Sequence, residues 1–238
     1  MELFIQEVSQ LENYCEHQTR SRLKSNLNFL EEILNFYYNL LQKQIDDKTI
    51  DIKLHELAVI IIHVKIIKTL NCNLNLLKKG HYSEFRSLLR NVIELTFLSQ
   101  YLMTNPEKAE IWFNGEQIGY GHVAETLNLP TEIGEIYGKL CDYTHPNFRG
   151  ASGNIILDKK SEDINFLIIP IFQKKMAKPL IIMQIHFAFI AINQFFACFE
   201  TYNNFNKDYE KQLKRIKNKL PKQENFLTQY CRELRIDI

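Results

Sequence analysis

Apolar residues recur at three- and four-residue spacing along the first part of the chain: Leu23, Leu27, Leu30, Ile33 or Leu34, Tyr37, Leu41. That period predicts one long amphipathic helix, or two joined ones, from about Leu3 to Ile45. The polar run from Gln44 to Asp51 reads as the first turn. A second helix is expected from about Ile52 to Lys78, where Lys78, Lys79 and Gly80 form a stop signal with cations at the negative end of the dipole. His81, Tyr82 and Ser83 then make a short link, with Ser83 as N-cap of a helix reaching Met103. Thr104 or Asn105 is expected to cap the next helix, with Pro106 in its first turn, where a missing N–H costs nothing. Gly115, Gly119 and Gly121 leave that helix undetermined beyond Asn114.

A short helix follows from Thr131 to about Thr144, and Pro146 forces residue 145 out of helical geometry. Beyond a loop with Gly150 and Gly153, the segment INFLIIP (Ile164 to Pro170) is either extended or the lead-in to a long helix ending near Tyr202. Pro179 must sit early in that helix or kink it. The tail from Asn203 is charged and more basic than the rest, and is expected to form two short helices, most simply a solvated face. The pattern therefore predicts an all-α protein. Its bundle of long antiparallel helices spans residues 1–203, and a short helical appendage spans residues 204–238. Eight glycines and six prolines are too few for a chain of tight β turns, which agrees.

The net charge of +1 removes any global attraction to nucleic acid or membranes, though a local basic patch can still bind RNA. Cys15, Cys72, Cys141, Cys198 and Cys231 are scattered and show no metal-clip spacing, as suits a reducing compartment. The opening MELFIQEVSQLENY lacks a basic start and apolar block, so a cytoplasmic location is expected. Leu180 to Phe199 is long enough to span a bilayer. Gln184, His186, Asn193 and Gln194 interrupt it, however, so a core helix is expected and no membrane partner.

Chemistry concentrates in three places. In the helix from Ser83, a narrow stripe of Ser83, Arg86, Arg90 and Glu94 runs between apolar sides and continues into Phe97 and Tyr101. Arg90 and Glu94 can pair along the helix, but a buried pair must overcome desolvation and seldom exists for stability alone. In the long helix before the tail, His186, Asn193 and Glu200 line up at seven-residue spacing, and the two stripes are candidates to share one polar interior. The third place is CDYTHPNFRG, where Asp142, Tyr143, His145, Asn147 and Arg149 cluster around Pro146. For each place the competing reading is structural: a satisfied network, a core histidine, a proline-stopped helix end.

His55, Glu56 and His63 show no HExxH or equivalent pairing, so no metal and no cofactor are expected. Phosphate loops, GxSxG elbows and zinc-ligand spacings are missing as well. Any catalysis must come from His, Arg, Glu and Tyr, a set that supports acid–base chemistry or oxyanion stabilisation of the kind metal-free ribonucleases need.

At RSLLRNVIELTFLSQYLMTNPEKAEIWFNG together with LCDYTHPNFRG, the chain resembles a widespread set of uncharacterised bacterial all-helical proteins. The shared features are an Arg-x-x-x-Glu helix, an Asn-Pro-Glu start to the next helix and a downstream His-Pro pair. Those proteins are similar in turn to the HEPN superfamily of helical bundles, many of them metal-independent ribonucleases of toxin–antitoxin and antiviral defence systems. That superfamily places a histidine four to six residues after an arginine; here only the Arg90-Asn91 start matches, and His145 lies far downstream.

The resemblance implies a nucleic-acid-directed effector, acting as a homodimer on RNA or another nucleic acid, with a protein partner encoded nearby. His145, Arg90 and Glu94 are its expected catalytic residues: His145 as general base, Arg90 on the phosphate, Glu94 orienting an arginine. Arg86, Tyr143, Arg149 and Asn147 are expected to bind substrate. The alternative is a non-catalytic interaction or sensor module with a structural or anion-binding polar pocket.

Overall fold

The computed structural model describes residues 2–46, 52–144, 155–157, 164–166, 170–199 and 207–221. His145, Asn147, Arg149, Glu200 and Cys231 lie outside these described residues. Nine helices appear among the described residues. They are α1 (Glu2–Arg22), α2 (Lys24–Asp46), α3 (Leu54–Lys78), α4 (Tyr82–Thr104), α5 (Lys108–Phe113), α6 (Tyr120–Thr126), α7 (Thr131–Cys141), α8 (Lys174–Phe199) and α9 (Lys207–Lys219). One antiparallel hairpin joins β1 (Ile155–Leu157) to β2 (Ile164–Phe166), with Ile156 opposite Asn165. The start of INFLIIP is therefore extended. The architecture is an all-α bundle.

The N-terminal period resolves into two helices that meet at Leu23. The hydrogen-bond ladder runs through the joint: the Leu23 N–H donates to Thr19 at 2.9 Å and the Leu27 N–H to Leu23 at 3.0 Å. Leu23 is buried while its neighbours Arg22 and Lys24 are exposed, so the bend keeps the apolar stripe on the core. The stripe continues one turn further than the polar composition suggested. Gln44 belongs to α2, not to a turn, and is fully buried at the next position of the Tyr37–Leu41 series.

α3 begins with a backbone-to-side-chain cap, the Lys53 N–H donating to Glu56 Oε2 at 2.8 Å. It ends at Gly80, whose φ of 87° lies in the left-handed region and lets the His81 N–H return to the Leu76 carbonyl at 2.9 Å. α4 therefore starts at once, at Tyr82. Ser83 is not its N-cap but sits inside the first turn, and His81 at the cap position makes no side-chain cap bond. The His81 ring is used elsewhere: its Nε2 meets Glu12 Oε1 at 2.8 Å, and Lys79 Nζ donates to Glu12 Oε2 at 2.8 Å, which fastens α1 over the turn. At the far end of α4, Thr104 and Asn105 turn their side chains back onto the Tyr101 carbonyl rather than capping α5. The Asn105 carbonyl itself opens the next turn, accepting from Lys108 at 3.0 Å.

The core is formed by α2, α3, α4 and α8, with Tyr37, Leu30, Ile62, Ile66, Phe85, Phe195 and Phe199 fully enclosed. Each such side chain contributes about 1.5–3 kcal/mol by leaving water. α3 and α4 share the most extensive interface, whereas α2 packs more on α8 than on its chain neighbour α3. α3 and α8 are long and apolar enough to cross a membrane by length and composition, and most of each apolar window is buried inside the bundle. Gln184, one of the polar interruptions of α8, donates from Nε2 to the Leu70 carbonyl at 2.7 Å and so ties α8 to α3. α9 lies on α2: Ile216 is buried, Tyr209 packs on Phe36, and Lys219 and Arg215 both reach Glu32. α6 and α7 cover the outer side of α4, and that cover creates the site.

Candidate functional site

α7 reads TEIGEIYGKLC, with Ile136 and Leu140 buried against the bundle. That packing sets Tyr137 over the polar stripe of α4. The Tyr137 hydroxyl donates to Glu94 Oε1 at 2.6 Å, while Arg90 Nη2 donates to the same oxygen at 2.8 Å and to the Tyr137 oxygen at 3.0 Å. The three groups close a ring of hydrogen bonds, and the guanidinium also lies 5.3 Å from the Tyr137 ring centroid. Tyr120 of α6 stacks on the Tyr137 ring, centroids 3.7 Å apart.

Burial first, and then the bond to Glu94, push the Tyr137 phenol well above its ordinary pKa, so its proton stays in the ring. Burial pulls the Arg90 guanidinium down, but Tyr137 and Glu94 outweigh it and hold the group above its ordinary value. These groups are about a quarter exposed, at 26% and 27% for Arg90 and Glu94. The arrangement is a clasp between α4 and α7 in which the Arg90 and Glu94 charges face one another, while Arg90 Nε has no hydrogen-bond partner among the described residues.

Arg86, one turn earlier, is different. It is only 4% exposed, and its Nε and Nη1 have no hydrogen-bond partner among the described residues. Its guanidinium lies 4.5 Å from the centroid of the Tyr143 ring. Tyr143 is held there by its backbone, whose carbonyl accepts from Ser87 Oγ at 2.9 Å. A cation–π contact at a desolvated site contributes about 2 kcal/mol, which does not replace acceptors for buried guanidinium nitrogens. Leaving such a donor unpaired costs about 1–3 kcal/mol, and more when it is charged. Neighbouring Tyr82 accepts the Gln173 N–H at 3.1 Å, and burial raises its pKa to about 12, so it keeps its own proton.

Of the residues expected from sequence, Arg86, Arg90, Glu94 and Tyr143 are brought together where α4 meets the end of α7. His145, Asn147 and Arg149 lie outside the described residues. Tyr137 and Tyr120 were not anticipated. Their signal was present only as aromatic residues on two short helices, with nothing in the sequence to say which helix they would face.

The second stripe turns elsewhere. His186 and Asn193 line an open cleft of about 480 Å³ together with Gln194 of α8 and Lys217, Leu220 and Pro221 at the end of α9. Burial depresses the His186 pKa to about 4, so it faces this cleft as a neutral ring. The two stripes thus open onto different helices, α7 and α9, and form no common interior among the described residues.

A third polar group lies in the core. Tyr37 is hydrogen-bonded to His63 Nδ1, His63 Nε2 meets Ser99 Oγ at 3.1 Å, and Ser99 Oγ donates to the Thr96 carbonyl at 2.7 Å. Because the serine proton goes to Thr96, Nε2 must carry the ring proton, and Nδ1 accepts from Tyr37. Burial lowers the His63 pKa to about 3, consistent with a neutral ring. His63 and Ser99 are fully enclosed, so this is a structural relay across α2, α3 and α4, without substrate access. Among the described residues no three His, Cys, Asp or Glu side chains gather as a metal site.

Fold and site together define an all-α bundle whose α4–α7 junction carries a hydrogen-bonded polar clasp beside a more deeply buried, acceptor-poor arginine. Residues 56–129, covering nearly all of α3 through α6, match a family of unknown function (DUF5677). No curated protein and no solved structure matches the chain.

Proposed function

We propose that this chain is a HEPN-like, nucleic-acid-directed effector of a bacterial stress or anti-phage system, with metal-independent ribonuclease chemistry. The observation that supports the reading is Arg86. A guanidinium almost wholly buried on a tyrosine face, with two nitrogens lacking acceptors, is a seat for an anionic oxygen group, and phosphate is the anion that nucleic acid presents. Arg86 anchors the substrate by a phosphate other than the one that is cleaved. His145, two residues after Tyr143 in sequence, takes the proton from a 2′-hydroxyl as that oxygen attacks the phosphorus of the neighbouring internal linkage, and the 5′-oxygen leaves with a proton from solvent. Arg90, Glu94 and Tyr137 are positioning residues that fix α7 and, through it, the start of the His145 segment.

The test is incubation of the purified protein with total RNA, with and without chelator. Cleavage that survives chelation and disappears in His145→Asn and in Arg86→Met, both still melting cooperatively, is the expected result. The closed hydrogen-bond ring that Arg90 Nη2 and Glu94 form with Tyr137 favours a second reading, a non-catalytic module that binds an anionic ligand at Arg86. Intact RNA together with Arg86-dependent anion binding would select that reading instead.

A further inference from the structure

Resting on the reading of Arg86 as a phosphate seat, we infer that the group it takes is a terminal phosphate, a phosphomonoester or free phosphate, rather than a phosphodiester inside a continuous strand. Three features of the site carry this.

The first is access. Only 4% of Arg86 is exposed, and one face of the guanidinium is covered by Tyr143 at 4.5 Å. A phosphodiester carries chain on both sides and has to be laid along a groove. A terminal group has chain on one side only and can be inserted end-on.

The second is the set of donors. Nε and Nη1, the two nitrogens without acceptors, open onto different edges of the planar guanidinium, so one oxygen cannot satisfy both. A monoester phosphate presents three terminal oxygens and close to two negative charges; a diester presents two and one. The Tyr82 hydroxyl in the same neighbourhood already accepts the Gln173 N–H and still has a proton to give to an acceptor oxygen.

The third is the local field. Arg86 stands about one turn into α4, whose start carries no side-chain cap. The positive end of the helix dipole and the arginine charge therefore add, which favours the more highly charged form of phosphate. Glu84, the acid of that turn, is exposed and offers no acceptor bond to Arg86 among the described residues.

The experiment compares four probes on the full chain and on Arg86→Met and Arg86→Lys. The probes are inorganic phosphate, followed by calorimetry and thermal shift, and three versions of one fluorescent RNA oligonucleotide: 5′-phosphorylated, 3′-phosphorylated and hydroxyl-terminated. Circular dichroism and melting establish that both variants fold, and Arg86→Lys keeps the charge while losing the fork. The expected result is at least tenfold tighter binding of one phosphate-terminated oligonucleotide than of the hydroxyl-terminated one. That preference is lost in Arg86→Met and weakened in Arg86→Lys. Equal, Arg86-dependent binding of all three oligonucleotides overturns the terminal-phosphate inference and leaves the nucleic-acid reading standing. Arg86-dependent binding of inorganic phosphate with no oligonucleotide binding supports the phosphate seat and overturns the nucleic-acid reading. Binding of every probe unchanged by either substitution, or no binding at all, overturns both.

Discussion

The phenol oxygen of Tyr137 lies 2.6 Å from Oε1 of Glu94, across the junction of α7 and α4. Arg90 spans the same two atoms, so a residue of one helix completes an ion pair contained in the other. An Arg–Glu pair four apart on an exposed helix contributes about 0.2–0.5 kcal/mol. Here the tyrosine turns the pair into an attachment point for a separate element.

Tyr137→Phe keeps the ring stacked on Tyr120 and removes only the hydroxyl. Stability is expected to fall by about 1 kcal/mol, the usual net worth of a hydrogen bond. The melting temperature should drop by roughly 2–4 °C for a chain of this size. Hydrogen exchange should speed up in α7 more than in the α3–α4 core. A double-mutant cycle with Glu94→Gln gives a coupling energy above about 0.5 kcal/mol if the two groups act together.

Arg86 and Arg90 share one stripe, yet their replacement is expected to act in opposite directions. Arg90→Met leaves Glu94 without its cation and lowers the melting temperature. Arg86→Met removes a buried charge that lacks acceptors and, in phosphate-free buffer, raises it by a few degrees, because apolar replacement of such groups is often stabilising by about 1–4 kcal/mol. Differential scanning calorimetry of the two variants side by side reads the signs directly.

Stability should decline with acid well before the carboxylates titrate. His63 and His186 are held at about 3 and about 4 in the folded chain, against 6.5 for a free imidazole. Between those limits the unfolded chain binds more protons than the folded one. Stability therefore increases with pH up to about 6.5 and is lost as pH falls below that value. The limiting slope is roughly 1.4 kcal/mol per pH unit for each histidine. Glu12, whose carboxyl is held down by its hydrogen bonds to Lys79 and His81, acts only at lower pH. Melting temperatures between pH 7.5 and 5.0 should show this fall, and His63→Gln should flatten it by about half, because one of two histidines is removed.

Gly80→Ala tests the turn between α3 and α4. A Cβ there would stand 3.1 Å from Cys15 Sγ and 3.1 Å from the Ile171 carbonyl oxygen, at a φ of 87° that L side chains avoid. The left-handed conformation alone costs about 1–2 kcal/mol, and the crowding adds to it. A loss of roughly 4–8 °C in melting temperature is expected. Gly134, whose Cβ position has nothing within 4 Å, is the control.

The helices were legible because their periodicity is strong and because Gly80 punctuates the chain. Their ends were less so. Ser83 is the better cap by residue type, but the tight return at Gly80 brings α4 in two residues earlier, and His81 is drawn to Glu12. Gln44 looked like turn composition, although its position in the α2 stripe is what places it in the core. In the site, the sequence separated Arg86, Arg90 and Glu94 from their apolar surroundings but gave all three the same standing. Only the placement of Tyr137 and Tyr143, both far along the chain, distinguishes an arginine with one nitrogen in a closed ring of bonds from one that meets an aromatic face and has two nitrogens without acceptors.

The unequal packing of α2 also bears on how the chain is made. Because α2 rests more on α8 than on α3, its apolar face has no complete seat until α8 has been synthesised, about half the chain later. The α3–α4 hairpin, built from near neighbours, can form while the ribosome is still extending the polypeptide. During that interval Leu27, Leu30, Ile33 and Tyr37 are open to water, and this stretch is where a nascent-chain chaperone would be expected to bind.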